Sequence, residues 1–538
     1  MKYCNFFISL ALLTLLPGMV LKAQEPVPPV AGDTTQIVEI LDYTRQLTFK
    51  TVDDTTRLTI VAGTVKMRQG TALFFCDSCV INNNTNIFEA WGHVRIVDSD
   101  TATVTSNHLR YLTKRKLAYL DGNVKLTDGL ATLTTPDLEY DMETNIGTYK
   151  NGGVVVNKTT RLTSREGYYY ADLKDVYFKR NVVLKDPAYD ITTDSLLYNT
   201  QTQTTRFISY TVIKDSSGRL IKTREGYYNQ QTGKAEFGQR SEIVDGGTTV
   251  TGNRMTIDDS TGISIVEGNA VIRNEKDGTT IIGGLIIRNK NTDAILATRR
   301  PLMIIRQNND SVYISADTLF SARLSDKFGM DSVVTDTLKG IKVAAFNEKD
   351  SSNRYFEAFR NVRIFNDSLQ AACDSLFYSF RDSVFRLYDD PVVWAQQSQI
   401  TGDTILLHTK NKKADKIEAF DNGFMVNKVE EDVYNQIKST RLDGWFIDGN
   451  IDSVRALGYA ECVYYIQDDD SAYTGVNQSK SDIIDIYFEE KQLDKVVFRS
   501  EVTGTIWPIR KKGPGEMQLE GFRWLEERRP KTKYEMYE

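Results

Sequence analysis

A chain of 538 residues with 66 Lys and Arg against 72 Asp and Glu carries a formal charge of −6, which excludes the basic face that nucleic-acid phosphates require. Hydrophobic residues make up 41%, enough to close a core, and 27 Tyr and 24 Phe, with many Thr, Val and Ile, favour strands. The 11 prolines and 35 glycines are scattered, which excludes long low-complexity linkers.

The chain begins with Lys2, an apolar run from Phe6 to Leu16, the breaker pair Pro17-Gly18 and a small residue at Ala23. This order reads as a secretory signal over residues 1–23, because the apolar run is shorter than the ~20 residues that span a bilayer. Cys4 precedes the run and is badly placed for lipidation. No later segment is long and apolar enough to cross a membrane, so the mature chain is expected to be exported and soluble.

The other cysteines are Cys76, Cys79, Cys373 and Cys462. On a straight strand Cys76 and Cys79 would lie about 10 Å apart, beyond disulfide reach. A zinc site would want a second ligand pair, which the sequence lacks. Cys76-Asp-Ser recurs as Cys373-Asp-Ser, so the cysteine occupies a repeat position as a small half-buried residue.

Internal repetition is the strongest signal, in two interleaved patterns. One is a Gly or Arg, usually followed by Asn and then alternating apolar residues: Gly92-His-Val-Arg-Ile96, Gly122-Asn-Val-Lys-Leu126, Arg180-Asn-Val-Val-Leu184, Gly268-Asn-Ala-Val-Ile272, Arg360-Asn-Val-Arg-Ile364. The other opens on Asp or Asn: Asn107-His-Leu-Arg-Tyr111, Asp137-Leu-Glu-Tyr140, Asp194-Ser-Leu-Leu-Tyr198, Asp374-Ser-Leu-Phe-Tyr378. Starts recur about every thirty residues, a spacing typical of stacked supersecondary units. Polar stretches such as 141–147, 199–204 and 258–262 suit strand reversal. Each unit therefore reads as strand, turn, strand, turn, with the motif residues opening the strands.

Alternation puts Val124 and Leu126 on one face and Lys125 on the other; Leu138 and Tyr140 likewise oppose Glu139. A lone unit cannot bury its apolar face. Stacking predicts an all-β chain of antiparallel strands in two facing sheets, roughly fourteen units and, at one rung of ~4.8 Å each, on the order of 70 Å long. The sequence 324–354 is polar and acidic and breaks the rhythm. It sets a first array over 24–324 and a second over 355–505, separated by an insertion or irregular unit at 325–354. The tail 506–538 could form a short amphipathic helix around Leu519, Phe522, Trp524 and Leu525, or cap the last rung.

His93, His108 and His408 are isolated, and no nucleophile elbow, zinc motif or phosphate loop is present. The chain is expected to be no enzyme and to need no cofactor or metal; a polysaccharide-cleaving β-helix is the enzymatic version set aside. What the repeats offer is extended apolar surface, suited to acyl chains at about 0.8 kcal/mol per buried CH₂. The inward residues expected to meet such cargo are Val94, Ile96, Leu109, Tyr111, Val124, Leu126, Leu138, Tyr140, Val182, Leu184, Leu196 and Tyr198. The alternative is a structural envelope scaffold or adhesive fibre with a dry core.

The Gly-Asn-Val-x-Leu and Asp-x-Leu-x-Tyr units, strung behind a signal peptide, resemble the OstA-like (organic solvent tolerance) family of periplasmic lipopolysaccharide-transport proteins, from about Gln36 to Thr505. The resemblance implies an elongated β-taco or open β-jelly-roll whose groove takes lipid A acyl chains. It also implies periplasmic placement, with end-to-end docking to an inner-membrane export complex and an outer-membrane translocon, and self-association at the ends. Bridge members of the family are usually shorter, and translocon members carry a membrane barrel for which residues after Thr505 leave no room. The chain therefore resembles an elongated bridge protein or a detached translocon N-domain.

Overall fold

The computed structural model describes residues 38–537 apart from 54–55, 99–101, 277, 307–310, 329–334, 337–340, 343–349, 351, 412, 469–471, 490–491 and 514–515. The signal segment 1–23 lies outside the described residues. Antiparallel pairing joins 40 strands into one continuous sheet. That sheet is folded lengthwise, because nearly every pass of the chain bends at its middle. Asp175–Lys185 shows this directly: its first half pairs with Glu166–Tyr170 and its second with Thr160–Ser164.

The bend is where the repeat motifs sit. Gly92-His93, Gly122-Asn123, Arg180-Asn181, Gly268-Asn269 and Arg360-Asn361 all have positive φ at both residues, and the pairing register slips there. Two left-handed residues in succession make a bulge that turns the strand by adding length on one side only. The motifs read as strand openings are therefore corners in the middle of strands. The apolar alternation resumes after each in the same phase but with one inward place taken up by the corner, which gives it the look of a new strand. The Asp or Asn of the second pattern faces the corner on the neighbouring pass. Asn151 Nδ2 donates to Asp137 at 2.9 Å and Asn361 Nδ2 to Asp317 at 3.2 Å, while His93 Nδ1 meets Asp77 at 2.8 Å. Gly92 is required here: a Cβ would stand 2.2 Å from Asp77 Oδ2.

Each half of a pass belongs to one of two walls that face each other, joined along the corners and ending in two rows of turns, the lips. The turns form as their composition dictates: Asp141 Oδ1 accepts from the N–H of Glu143 and Thr144, Asn199 Oδ1 from Gln201 and Thr202, and Asp258 Oδ1 from Ser260 and Thr261. One repeat unit holds two passes. Roughly 28 passes at ~4.8 Å give on the order of 130 Å, about twice the length expected from one rung per unit.

Pairing does not stop at the polar stretch 325–354. Ser311–Ser315 and Thr318–Ala322 both pair with Tyr355–Phe365, so both walls run through. A single apolar cluster extends between the walls from Val61 to Ile486. At the ends of the stack, Glu39–Asp42 and Gln46–Thr51 pair onto Arg57–Gln69, and Gln492–Arg499 and Thr503–Pro508 onto Tyr473–Glu489.

The tail forms neither an amphipathic helix nor a cap. It runs back along the outside of one wall, with only short 3-10 turns at Glu526–Arg528 and Lys533–Tyr537. Met517 and Leu519 cover Phe424, Val426, Val463 and Val476; Leu525 covers Trp394; Met536 covers Leu302 and Phe365. Two glutamines hold it as an extra strand would. Gln436 donates to Met517 O and accepts from Leu519 N–H; Gln399 does the same with Arg523 O and Leu525 N–H. The wall beneath is apolar on both faces at these positions, so an extended cover satisfies it better than a helix, which would leave the glutamine amides unpaired.

Candidate functional site

The twelve inward residues divide evenly between the walls. Val94, Ile96, Val124, Leu126, Val182 and Leu184 lie on one; Leu109, Tyr111, Leu138, Tyr140, Leu196 and Tyr198 on the other. All are between 0% and 2% exposed. Lys125 and Glu139 point to solvent. The structure thus brings the twelve into one interior, and over residues 57–200 packs that interior shut.

The lips of this part are latched by a ladder of side chains that sequence reasoning missed. Tyr111 OH donates to Gln69 Oε1, whose Nε2 donates to Thr113 O at 3.1 Å. Tyr140 OH donates to Asp98 Oδ2 at 3.3 Å. Tyr169 OH and Thr200 Oγ1 both donate to Asp128 Oδ2, at 2.8 and 2.9 Å. Asn157 Nδ2 donates to Tyr198 OH at 3.3 Å and Thr200 O at 2.9 Å. Gln230 closes the series on Tyr189. On one lip Gln69, Asp98, Asp128 and Asn157 recur about thirty residues apart, and so do Tyr111, Tyr140, Tyr169 and Tyr198 on the other. That spacing, on polar residues ending an apolar alternation, was the signal available.

Burial governs the ionisation of the ladder. It pushes the Tyr198 hydroxyl up to about 12 and lifts Tyr111 and Tyr169 further, so these hydroxyls stay protonated throughout the physiological range. Burial also raises the Asp98 carboxyl, partly opposed by the Tyr140 hydrogen bond. At Asp128 burial pushes up, but the backbone N–H of Ala131, the Tyr169 hydroxyl and further donors overrule it and hold the group below its ordinary value.

Past this region cavities open in the interior. A cavity of about 410 Å³ opens over Phe207, Ile213, Ile221, Phe237 and Ile257, and a second of about 460 Å³ over Ile272, Ile281, Ile295 and Met303. A third of about 210 Å³ is lined by Val312, Ile364, Phe385 and Leu407. The first two volumes are ordinary for small-molecule pockets, and the third is smaller. A further cavity, about 690 Å³, lies outside the walls beneath the tail, among Arg300, Asp317, Asp374, Asp390 and Arg528. Its charged lining is unsuited to hydrocarbon.

The cysteines follow the repeat. On the inner face beside the corner, Ser106, Thr135 and Ser164 donate to the backbone carbonyl two residues on, at 2.8, 3.0 and 2.7 Å. Cys76 takes the same place, and Cys79 shares its face because the intervening corner uses an extra residue. The four cysteines among the described residues are buried free thiols. The Cys76 thiol is pushed up by its hydrogen bond with Cys79 and by burial, and Cys373 is pushed up to about 12 by burial. Each histidine pairs with a carboxylate, His108 with Asp121 at 2.7 Å and His408 with Glu418 at 2.7 Å. Among the described residues no cluster of three His, Cys, Asp or Glu could hold a metal.

Two antiparallel walls, folded along a line of bulged corners around an unbroken apolar interior, define a β-taco, an open jelly roll of stacked strands. Residues 35–194 match the model of the OstA-like protein family, so the resemblance carried by the repeats is found over the first part of the predicted span. Among curated proteins nothing matches the chain. Among solved structures the chain is similar to LptH, the LptA-homologous periplasmic component of the lipopolysaccharide transport device from Pseudomonas aeruginosa. The identity is 12%, over 32% of this chain and 81% of that one, with a TM-score of 0.14.

Proposed function

We propose that the chain is a periplasmic lipid-binding bridge in lipopolysaccharide transport, shielding acyl chains between its two walls on the way to the outer membrane. The observation that carries this reading is the single apolar interior running from Val61 to Ile486, bounded on one side by continuous strands and on the other only by side-chain contacts between lips. A latch of hydrogen bonds, each worth about 1 kcal/mol net, opposes parting of the lips. An acyl chain gaining about 0.8 kcal/mol per buried CH₂ offsets several such bonds. The twelve inward residues then become the lining against which hydrocarbon slides. The OstA-like match and the signal-like N-terminus support periplasmic placement.

The end strands support docking to an inner-membrane export complex and an outer-membrane translocon, or to a further copy. Glu39–Asp42 with Gln46–Thr51, and Gln492–Arg499 with Thr503–Pro508, are sheet edges that another chain can extend. Photo-crosslinking groups at the twelve positions are expected to capture lipopolysaccharide in cells, and groups at Lys125 and Glu139 are not. Equal capture from both sets counts against the groove.

The structural-scaffold reading draws on the 0–2% exposure of the twelve residues. It requires that no lipid accompany the purified chain and that outer-membrane lipid be normal after depletion.

A further inference from the structure

We infer that acyl cargo enters the interior sideways, through a mouth in the lips near residues 248–383, and that Lys276, Arg288 and Arg354 on its rim hold the phosphate of an anionic lipid headgroup. The inference rests on the lipid-shielding reading and deepens it. Along one lip, the inner-face position held by Tyr111, Tyr140, Tyr169, Tyr198 and Tyr228 passes to Ile257 and then to Arg288. The register places it there: Ile257 stands opposite Ser264, and Ser264 opposite Arg288. A hydroxyl that latches the lips is thus replaced first by a side chain with no donor and then by a cation.

Midway down the wall the interior is slightly more exposed here than in the latched part: Ile272, Ile281 and Met303 are 4%, 6% and 3% exposed, against 0% for Ile96 and 2% for Leu126. The cavity of about 460 Å³ has an apolar floor of Ile272, Ile281, Ile295 and Met303, with Lys276, Arg288 and Arg354 around it. Asp293 is the carboxylate of that rim, 3.4 Å from Arg288 and 2.6 Å from Arg354. Three cations around one carboxylate leave positive charge above a hydrocarbon floor. That arrangement fits a phosphate joined to acyl chains and is wasted on an uncharged lipid. Guanidinium groups suit phosphate by their fork of donors, and partial burial strengthens the contact.

The test uses the full chain, with photo-crosslinking groups at Ile281 or Met303 in the mouth and at Val124 or Leu126 in the latched part. Each is mixed with purified lipopolysaccharide micelles and, separately, with the same material stripped of its lipid phosphates. Capture at the mouth is expected first, with capture at Val124 and Leu126 delayed. The pair Lys276→Gln and Arg288→Gln is expected to lower mouth capture of the phosphorylated lipid on the order of tenfold, and to leave the stripped lipid unchanged. Circular dichroism is expected to be unchanged in the double variant, and Arg288→Lys, which keeps the charge and loses the fork, is expected to capture the phosphorylated lipid at a level between those of the parent chain and the double variant. Simultaneous capture at both sites, or indifference to the double substitution, overturns the mouth and leaves the groove standing. Capture at no position overturns both.

Discussion

Replacing Asp128 with alanine is expected to unlatch the lips locally, and its size follows from the bonds removed. One oxygen accepts from Tyr169 OH at 2.8 Å and Thr200 Oγ1 at 2.9 Å; the other accepts from the N–H of Leu130 and Ala131, both at 2.8 Å. The turn amides can turn to water, and Thr200 Oγ1 retains Lys174 O at 3.2 Å. The Tyr169 hydroxyl, on a residue 3% exposed, is left buried without an acceptor. An unsatisfied buried donor costs about 1–3 kcal/mol, and the lost turn bonds bring the total to roughly 2–4 kcal/mol. At 1.4 kcal/mol per factor of ten, amide exchange at Leu130, Ala131 and Thr200 should accelerate roughly 30- to 700-fold. Native-state hydrogen exchange reads this segment by segment, which suits a stacked array whose unfolding need not be all-or-none. Tyr169→Phe alone should cost about 1 kcal/mol, and the double variant should fall short of the sum by 0.5 kcal/mol or more, in the usual range for contacting residues. Strict additivity would refute the latch.

Gly122→Ala is expected to loosen the strands around its corner more than Gly129→Ala does. Both glycines have positive φ, +74° and +82°, but a Cβ at 122 meets Asn107 Cβ at 2.9 Å and one at 129 meets nothing. The shared backbone cost is about 1–2 kcal/mol, so exchange rates that accelerate equally in the two variants would argue against close packing over the corner. Acid should open the C-terminal passes. Burial pushes the carboxyls of Asp485 and Glu418 up, but Arg455 and Arg499 at the first and Lys416 and His408 at the second hold both below their ordinary values of 3.8 and 4.5. The folded state then binds fewer protons than the unfolded one. Their stabilisation is present in full above those ordinary values and is lost as pH falls below them, through the lowered folded ones. Circular dichroism during acid titration should show this loss, and Asp485→Asn should flatten its share of the slope. Removing residues 516–538 should bare Trp394, Val426 and Val463 and raise binding of an apolar dye. Gln436→Ala, which leaves a tail amide pair unmet, should speed proteolysis of the tail; unchanged digestion would mean that the glutamines do not hold it.

The all-β class, the two facing walls and the inward set were legible because a period-two apolar alternation records which face is buried. The corners were not, although their residues were in plain view. Val104, Ser106, Leu109 and Tyr111 all face inward, as do Ala118, Leu120, Val124 and Leu126, so the alternation slips by one residue in the first pass and by two in the second. Read locally, such a slip looks like the start of a strand; only pairing on both sides of Asn107 and Gly122 shows that the strand continues. The latch stayed hidden for another reason. Gln69 and Tyr111 meet across the two lips, one and a half repeats apart, and no local pattern encodes that offset. The tail's course was equally out of reach, since Met517 and Leu519 are held by Gln436 on a strand far back in the chain.

Whether hydrocarbon travels between the walls is answered most directly by mass spectrometry of lipids extracted from the full chain, purified in native form from its own envelope. A phosphorylated, multiply acylated lipid in near-stoichiometric amount is expected, diminished when cysteines placed at positions 69 and 111 are bridged across the lips by a reducible bifunctional thiol reagent, and restored on reduction. Lipid no more abundant than on an unrelated periplasmic protein, bridged or not, would contradict it and leave a closed scaffold in its place.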